Sequence, residues 1–188
     1  EIVEMTEYAN VKAKFLSGGQ MQRVAIARVL ALEPEVLLLD EPFSHIDNFR
    51  KNSLRRKLFG YLKEQQITCI VATHDSTDVL AFADEVAIIK EGKIVESGIP
   101  KFIYGNPKDK YVASLFGDVN EIKINGELKF VYPHQLKAVM NSDLKVEIVN
   151  SYFRGSHYLM EAKFENQTLF FESDELLENG EVVCLKIK

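Results

Sequence analysis

The chain has 188 residues, 46% of them hydrophobic and 27% charged, with a net charge of −5. That is an ordinary globular balance, enough to bury one good core or two small ones. The acidic charge argues against a nucleic-acid partner, which requires a basic face. No apolar run reaches the roughly 20 residues needed to span a bilayer. The opening Glu1-Ile2-Val3-Glu4 shows neither the basic start nor the apolar stretch of a signal peptide, and no initiator Met, which leaves room for a portion upstream. Cys69 and Cys184 each lie in an apolar, β-branched stretch. They read as buried free thiols in a reducing compartment, with the cytosol as the expected location.

In chain order, Leu16-Ser17-Gly18-Gly19-Gln20 precedes a segment in which Val24, Ala27, Leu30 and Ala31 keep a helical period. Val36 to Leu39 is a continuous apolar run, expected to be a strand covered on both faces. Leu54, Leu58 and Leu62 recur at four-residue spacing and predict an amphipathic helix. Thr68 to Thr73 predicts a second buried strand, and Val86–Lys90 and Lys93–Glu96 predict two short strands around a Glu91-Gly92 turn. Ser97-Gly98-Ile99-Pro100 breaks that pattern. This alternation predicts an α/β region with a parallel sheet over residues 1–117.

From residue 118 the texture changes. Tyr158, Met160, Ala162 and Phe164 alternate onto one face, followed by Leu169 and Phe171, then Val183, Leu185 and Ile187. Turn signals separate them at Asn125-Gly126, Gly155-Ser156, Glu165-Asn166 and Asn179-Gly180. Residues 118–188 therefore read as a small all-β barrel or sandwich, with the boundary at Phe116-Gly117-Asp118.

Three stretches carry chemistry. Ser17 and the two glycines sit where a helix begins. Unpaired backbone N–H groups and the helix dipole favour an anion there, and glycines let a phosphate approach closely. Asp40-Glu41-Pro42 ends the first buried strand, and ligands of an open α/β sheet gather at that end. Two carboxylates there suit metal-assisted phosphoryl transfer: Asp40 to hold Mg²⁺ through water, Glu41 to orient and deprotonate the attacking water. His74, in Thr73-His74-Asp75 at the end of the second strand, can donate a hydrogen bond to a γ-phosphate oxygen. His45, His134 and His157 have no partner that the sequence identifies.

In this order and spacing the residues resemble the ATP-binding subunits of ABC transporters. Leu16-Ser17-Gly18-Gly19-Gln20 looks like the ABC signature, Val36–Pro42 the Walker B segment, Ser44-His45-Ile46-Asp47 the D-loop and His74 the switch histidine. The resemblance covers about residues 16 to 117 and implies a partial P-loop NTPase fold of the ABC ATPase type. It implies that Ser17, Gly18, Gly19 and Gln20 contact ATP bound mainly by a second ATPase subunit. Asp40 would be the magnesium residue, Glu41 the catalytic base, His74 the γ-phosphate sensor, and Asp47 part of the loop coupling two sites. His45-Ile46 departs from the small residue and Leu usual there.

Val112–Asn120 resembles the junction into the C-terminal OB-like (TOBE-type) domain of importer ATPases. Val131-Tyr132-Pro133-His134 is similar to that domain's Val-Arg-Pro-Glu segment, with Tyr132 and His134 in place of Arg and Glu. The implied assembly is a homodimer on the cytoplasmic face of the membrane, bound to transmembrane permease subunits and served indirectly by a solute-binding protein. Its ligands are ATP and Mg²⁺. The Glu41–Ser44 wording leans towards ferric-ion, sulfate or thiamine importers.

No GxxxxGK[ST] loop, which cradles the β- and γ-phosphates, occurs in these residues; Gly92-Lys93 is followed by Ile94. The chain alone is therefore expected neither to bind ATP tightly nor to hydrolyse it. Strands unpaired for want of the P-loop strand are expected to invite association with another chain. Two alternatives stay open: a dimerisation or regulatory module of the same transporter without ATPase activity, and a soluble ABC ATPase acting on DNA or the ribosome. The second lacks the coiled coils, zinc hooks or duplicated cassettes it would need.

Overall fold

The computed structural model describes residues 2–124 and 126–188, so Asn125 of the expected Asn125-Gly126 turn and Glu1 lie outside the described residues. The described residues form two compact units that divide between Ala83 and Asp84.

The first unit holds helix α1 (Gly18–Leu30), strand β1 (Val36–Asp40), helix α2 (Asn48–Glu64), strand β2 (Thr68–Ala72) and helix α3 (Ser76–Phe82). β1 and β2 pair in parallel, Val36 opposite Thr68 through to Asp40 opposite Ala72, with α2 as the crossover. The expected leucine stripe of α2 forms the core: Leu54, Leu58 and Leu62 are buried against Leu37, Ile26 and Leu30. Fully burying such a side chain is worth about 1.5–3 kcal/mol.

Two expectations are corrected. The buried stripe of α1 runs through Arg23, Ile26 and Leu30 rather than Val24, which is half-exposed. Arg23 tolerates burial because its Nη1 donates to the carbonyls of Val3 and Glu4, at 3.2 and 3.0 Å. The β1–β2 pair is covered on one face only. Leu37 is 2% exposed, whereas Leu38 is 71% and Ile70 61% exposed. The apolar run is continuous, but α1 and α2 supply packing partners to alternate residues alone.

The second unit begins with the hairpin of β3 (Val86–Lys90) and β4 (Lys93–Gly98), as expected. Its Glu91-Gly92 turn has positive φ at both residues, +51° and +74°, the twist-matched geometry of a two-residue hairpin loop. Helices α4 (Pro100–Gly105) and α5 (Lys110–Ser114) come next, and Ile103 and Val112 pack with Ile88 in a small core. Then comes an antiparallel pair, β5 (Asn120–Ile124) with β6 (Glu127–Val131). The remaining strands are β7 (Leu136–Val139), β8 (Leu144–Phe153), β9 (Tyr158–Phe164), β10 (Gln167–Ser173) and β11 (Val182–Ile187). They form one five-stranded antiparallel sheet in the order β10-β9-β8-β11-β7. Its edge strands β7 and β10 touch, bending the sheet towards a small barrel.

Met160, Ala162, Leu169, Phe171 and Leu185 point into its core, the face that alternation selected. Asn120 is buried there with its amide satisfied, donating to the carbonyls of Val131 and Phe170 and accepting from the Phe170 amide. The sequence placed a boundary at residue 117, whereas contacts group residues 84–117 with the β-strands of residues 120–187. Tyr132 explains the difference. Its hydroxyl donates to the Ala113 carbonyl at 3.2 Å, and its ring stacks on Tyr104 with centroids 4.3 Å apart.

Candidate functional site

A parallel, in-register pair delivers both strand ends to the same place. Beyond Asp40 the Glu41 amide continues the ladder, donating to the Ala72 carbonyl at 2.9 Å. His74 lies two residues after Ala72, and its Nδ1 is 2.6 Å from Glu41 Oε1. The Glu41 carboxylate holds the His74 imidazole above its ordinary titration range, first through this hydrogen bond and then through its charge. The ring is otherwise open to solvent, its side chain 82% exposed. Asp40 is exposed at the carboxyl end of β1. Among the described residues no three metal-binding side chains cluster.

The start of α1 is built as its sequence implies. Ser17 is the N-cap and forms a reciprocal capping box with Gln20. Ser17 Oγ accepts from the Gln20 amide at 3.3 Å, and Gln20 Oε1 accepts from the Ser17 amide at 2.8 Å. Ser17, Gly19 and Gln20 line one shallow cleft with Asp47, Tyr8 and Arg50. Gly18 is the first helical residue, with open space around its α-carbon. Gly19 has none: a Cβ there would sit 2.4 Å from the His45 carbonyl oxygen. The sequence-predicted residues thus fall into two groups, one around the start of α1 with Asp47, the other Glu41 with His74.

Two side chains outside the motif residues, Gln22 and Arg55, organise these groups. Gln22, one helical turn beyond Gly19 on α1, donates from Nε2 to the Glu41 carbonyl at 2.8 Å. Its Oε1 accepts from the His45 amide at 3.3 Å. The i, i+3 spacing from Gly19 is the one local hint that Gln22 shares its face. Arg55 of α2, buried, pairs with Asp75 beside His74, and its Nε lies 2.5 Å from the buried Asp78 Oδ1 without hydrogen-bond alignment. Thr73 Oγ1 donates to Asp78 Oδ2 at 2.8 Å, so the whole Thr73–Asp78 turn is tied to α2.

The other histidines find partners that the sequence did not show. His45 Nδ1 lies 3.0 Å from Ser44 Oγ. His134 stacks nearly parallel to Tyr104 and Tyr132. His157 Nε2 lies 3.6 Å from Glu172 Oε1.

Residues 2–44 match the family model described as ABC transporter. A spermidine/putrescine import ATP-binding protein of Mesomycoplasma hyopneumoniae (strain J) is 32% identical over 99% of this chain and 48% of its own length. A sulfate/thiosulfate import ATP-binding protein of Mesostigma viride is 40% identical over 68% of this chain and 38% of its own. An Fe(3+) ions import ATP-binding protein of Rhodococcus jostii (strain RHA1) is 44% identical over 63% of this chain and 35% of its own. A solved dimeric ATP-binding cassette in a post-hydrolysis state with ADP and Pi aligns at a TM-score of 0.48, with 32% identity over 53% of this chain and 44% of that one. The chain spans about half or less of the length of the curated relatives it matches. The signature-like helix start and the carboxylate-bearing strand after it fall within the matched segment, and importer relatives align along nearly the whole chain. Residues 2–44 thus carry an ABC transporter-type segment, and the chain is similar to import ATP-binding proteins over 63–99% of its length.

Proposed function

We propose that this chain supplies the γ-phosphate-facing part of an importer ATPase site, in which ATP hydrolysis at a dimer interface drives solute uptake. One observation carries the reading: the parallel register of β1 and β2 sets the Glu41 carboxylate against His74 at the carboxyl end of the sheet. In the proposed reaction Asp40 holds Mg²⁺ through water. Glu41 orients a water in line with the γ-phosphorus and takes its proton, and His74 donates a hydrogen bond to a γ-phosphate oxygen. The bound Mg·ATP brings the phosphoanhydride and the charge-neutralising cation. In this reading His74 turns from the Glu41 carboxylate, its partner at 2.6 Å, to the phosphate as the site fills.

Ser17, Gly18, Gly19 and Gln20 then face ATP held mainly by a second copy of the subunit, with Asp47 beside them. The cleft that Ser17, Gly19, Gln20 and Asp47 share supports that grouping. Residues 1–117 belong to the ATPase part and 118–188 to the importer-type β-domain. Transmembrane permease subunits, fed by a solute-binding protein, are the remaining partners at the cytoplasmic face of the membrane. No helix among the described residues is long and apolar enough to cross a membrane. The relatives' roles as import ATP-binding proteins support the transport coupling.

These 188 residues include no GxxxxGK[ST] loop. The chain on its own therefore gives no multiple turnovers of ATP, and the exposed Leu38 and Ile70 face favours association with another polypeptide. A turnover assay on the isolated chain tests this, and turnover that Glu41→Gln abolishes would overturn it.

A further inference from the structure

Glu41 holds a backbone conformation that a non-glycine residue keeps only when its surroundings fix it, with φ at +46°. Its amide is fixed by the Ala72 carbonyl of β2. Its carbonyl accepts from the Ser44 hydroxyl at 3.0 Å, the Ser44 amide at 3.2 Å and Gln22 Nε2 at 2.8 Å. The Ser44 groups belong to the same turn. Gln22 arrives from α1, 19 residues earlier in the chain, and it is the shortest of these contacts.

The same side-chain amide reaches further along the turn, accepting from the His45 N–H. One helical turn before Gln22, Gly19 closes on the His45 carbonyl so tightly that no side chain fits between. The first turn of α1 and the Glu41–His45 turn are thus joined at both ends, once by close packing and once by a bidentate amide. A displacement of the helix start cannot leave the Glu41 peptide where it is.

We propose that Gln22 is a positioning residue: it keeps Glu41 in the left-handed conformation that aims its carboxylate at His74, and it makes that aim depend on the position of the first turn of α1. This rests on the hydrolytic role proposed for Glu41 and deepens it. A phosphate that draws on the start of α1 would act on the carboxylate through one side-chain amide.

The test is NMR of the 188-residue chain without nucleotide, comparing wild type, Gln22→Met and Gln22→Glu. Methionine keeps the length and loses both hydrogen bonds, while glutamate keeps the acceptor for His45 and loses the donor to Glu41. Both variants are expected to lose the positive-φ signature of Glu41, read from its HN–Hα coupling and carbonyl shift, and the Glu41–His74 contact. The methyl signals of Leu54, Leu58 and Leu62 are expected to stay in place. Glu41 signals unmoved in either variant would overturn the proposal. Core methyls that shift or broaden with Glu41 would also overturn it, because Gln22 would then support the fold at large. No nucleotide is present, so this result stands apart from whether Glu41→Gln affects hydrolysis.

Discussion

Gly19 of the signature-like loop and His45 of the turn after Glu41 approach so closely that a Cβ on Gly19 would lie 2.4 Å from the His45 carbonyl oxygen. Gly18, its neighbour, meets nothing within 4 Å. Alanine at the two positions should therefore have opposite effects. Gly19→Ala forces backbone apart and is expected to cost about 1–3 kcal/mol as overpacking. Gly18→Ala, in open space at a helix start, should be neutral or stabilise by about 0.5–1 kcal/mol. Denaturant midpoints of the two variants check this, and equal effects would contradict the close packing at Gly19.

Glu41 raises the affinity of His74 for a proton, chiefly through their hydrogen bond. A folded-state value above the unfolded one means that the pairing contributes below the ordinary histidine range and is lost as pH rises through the folded value. In an NMR titration His74 should titrate above an ordinary histidine. With Glu41→Gln it should fall back towards one.

Arg55 is the buried cation between Asp75 and Asp78, with 4% of its side chain exposed against 5% for Asp78. Arg55→Met leaves the Asp78 charge buried and unpaired, at a cost of about 3–5 kcal/mol. Burial acts to raise the Asp75 carboxyl, but the Arg55 guanidinium and the Thr77 amide outweigh it and hold the group below its ordinary value. Its stabilising contribution is present above the unfolded value and is lost as pH falls through the folded one. The acid limb of stability should therefore flatten in Arg55→Met, as read from denaturation midpoints at neutral and acid pH.

Asn120 knits β5 to β6 and β10 through two donated bonds and one accepted bond, 2.7–3.1 Å long, at 2% exposure. Asn120→Leu would strand the Phe170 amide and the carbonyls it serves, at a cost of about 3 kcal/mol. Amide exchange at Phe170 should rise with the loss of stability; unchanged exchange would contradict the role assigned to Asn120.

Periodicity carried the elements whose burial repeats along the chain. Leu54, Leu58 and Leu62 of α2, and Met160, Ala162, Leu169 and Phe171 of the β-sheet, lie in their cores as their spacing demands. The helix start at Ser17 was legible from its place before two glycines, and the strand ending at Asp40 from its continuous apolar run. Coverage of β1 was not, because Leu37 and Leu38 are chemically alike and only the neighbouring helices decide which one is buried. Gln22, Arg55 and Arg23 were missed for another reason. Each acts through side-chain bonds to residues 19 or more positions away, and such bonds leave no local pattern. The tie between Tyr104 and Tyr132, which groups residues 84–117 with the β-strands, is hidden in the same way.

The central claim is that Glu41 and His74 act on the γ-phosphate of ATP. The most direct measurement is the Mg²⁺-dependent ATP turnover of a fusion joining this chain to the phosphate-loop portion of an importer relative, compared with its Glu41→Gln and His74→Ala variants. The fusion is predicted to turn over ATP, with a loss of about 10²–10⁴-fold in Glu41→Gln, as expected for removal of a general base. A smaller but clear loss is expected with His74→Ala. Turnover that proceeds unchanged without the Glu41 carboxylate would contradict the claim.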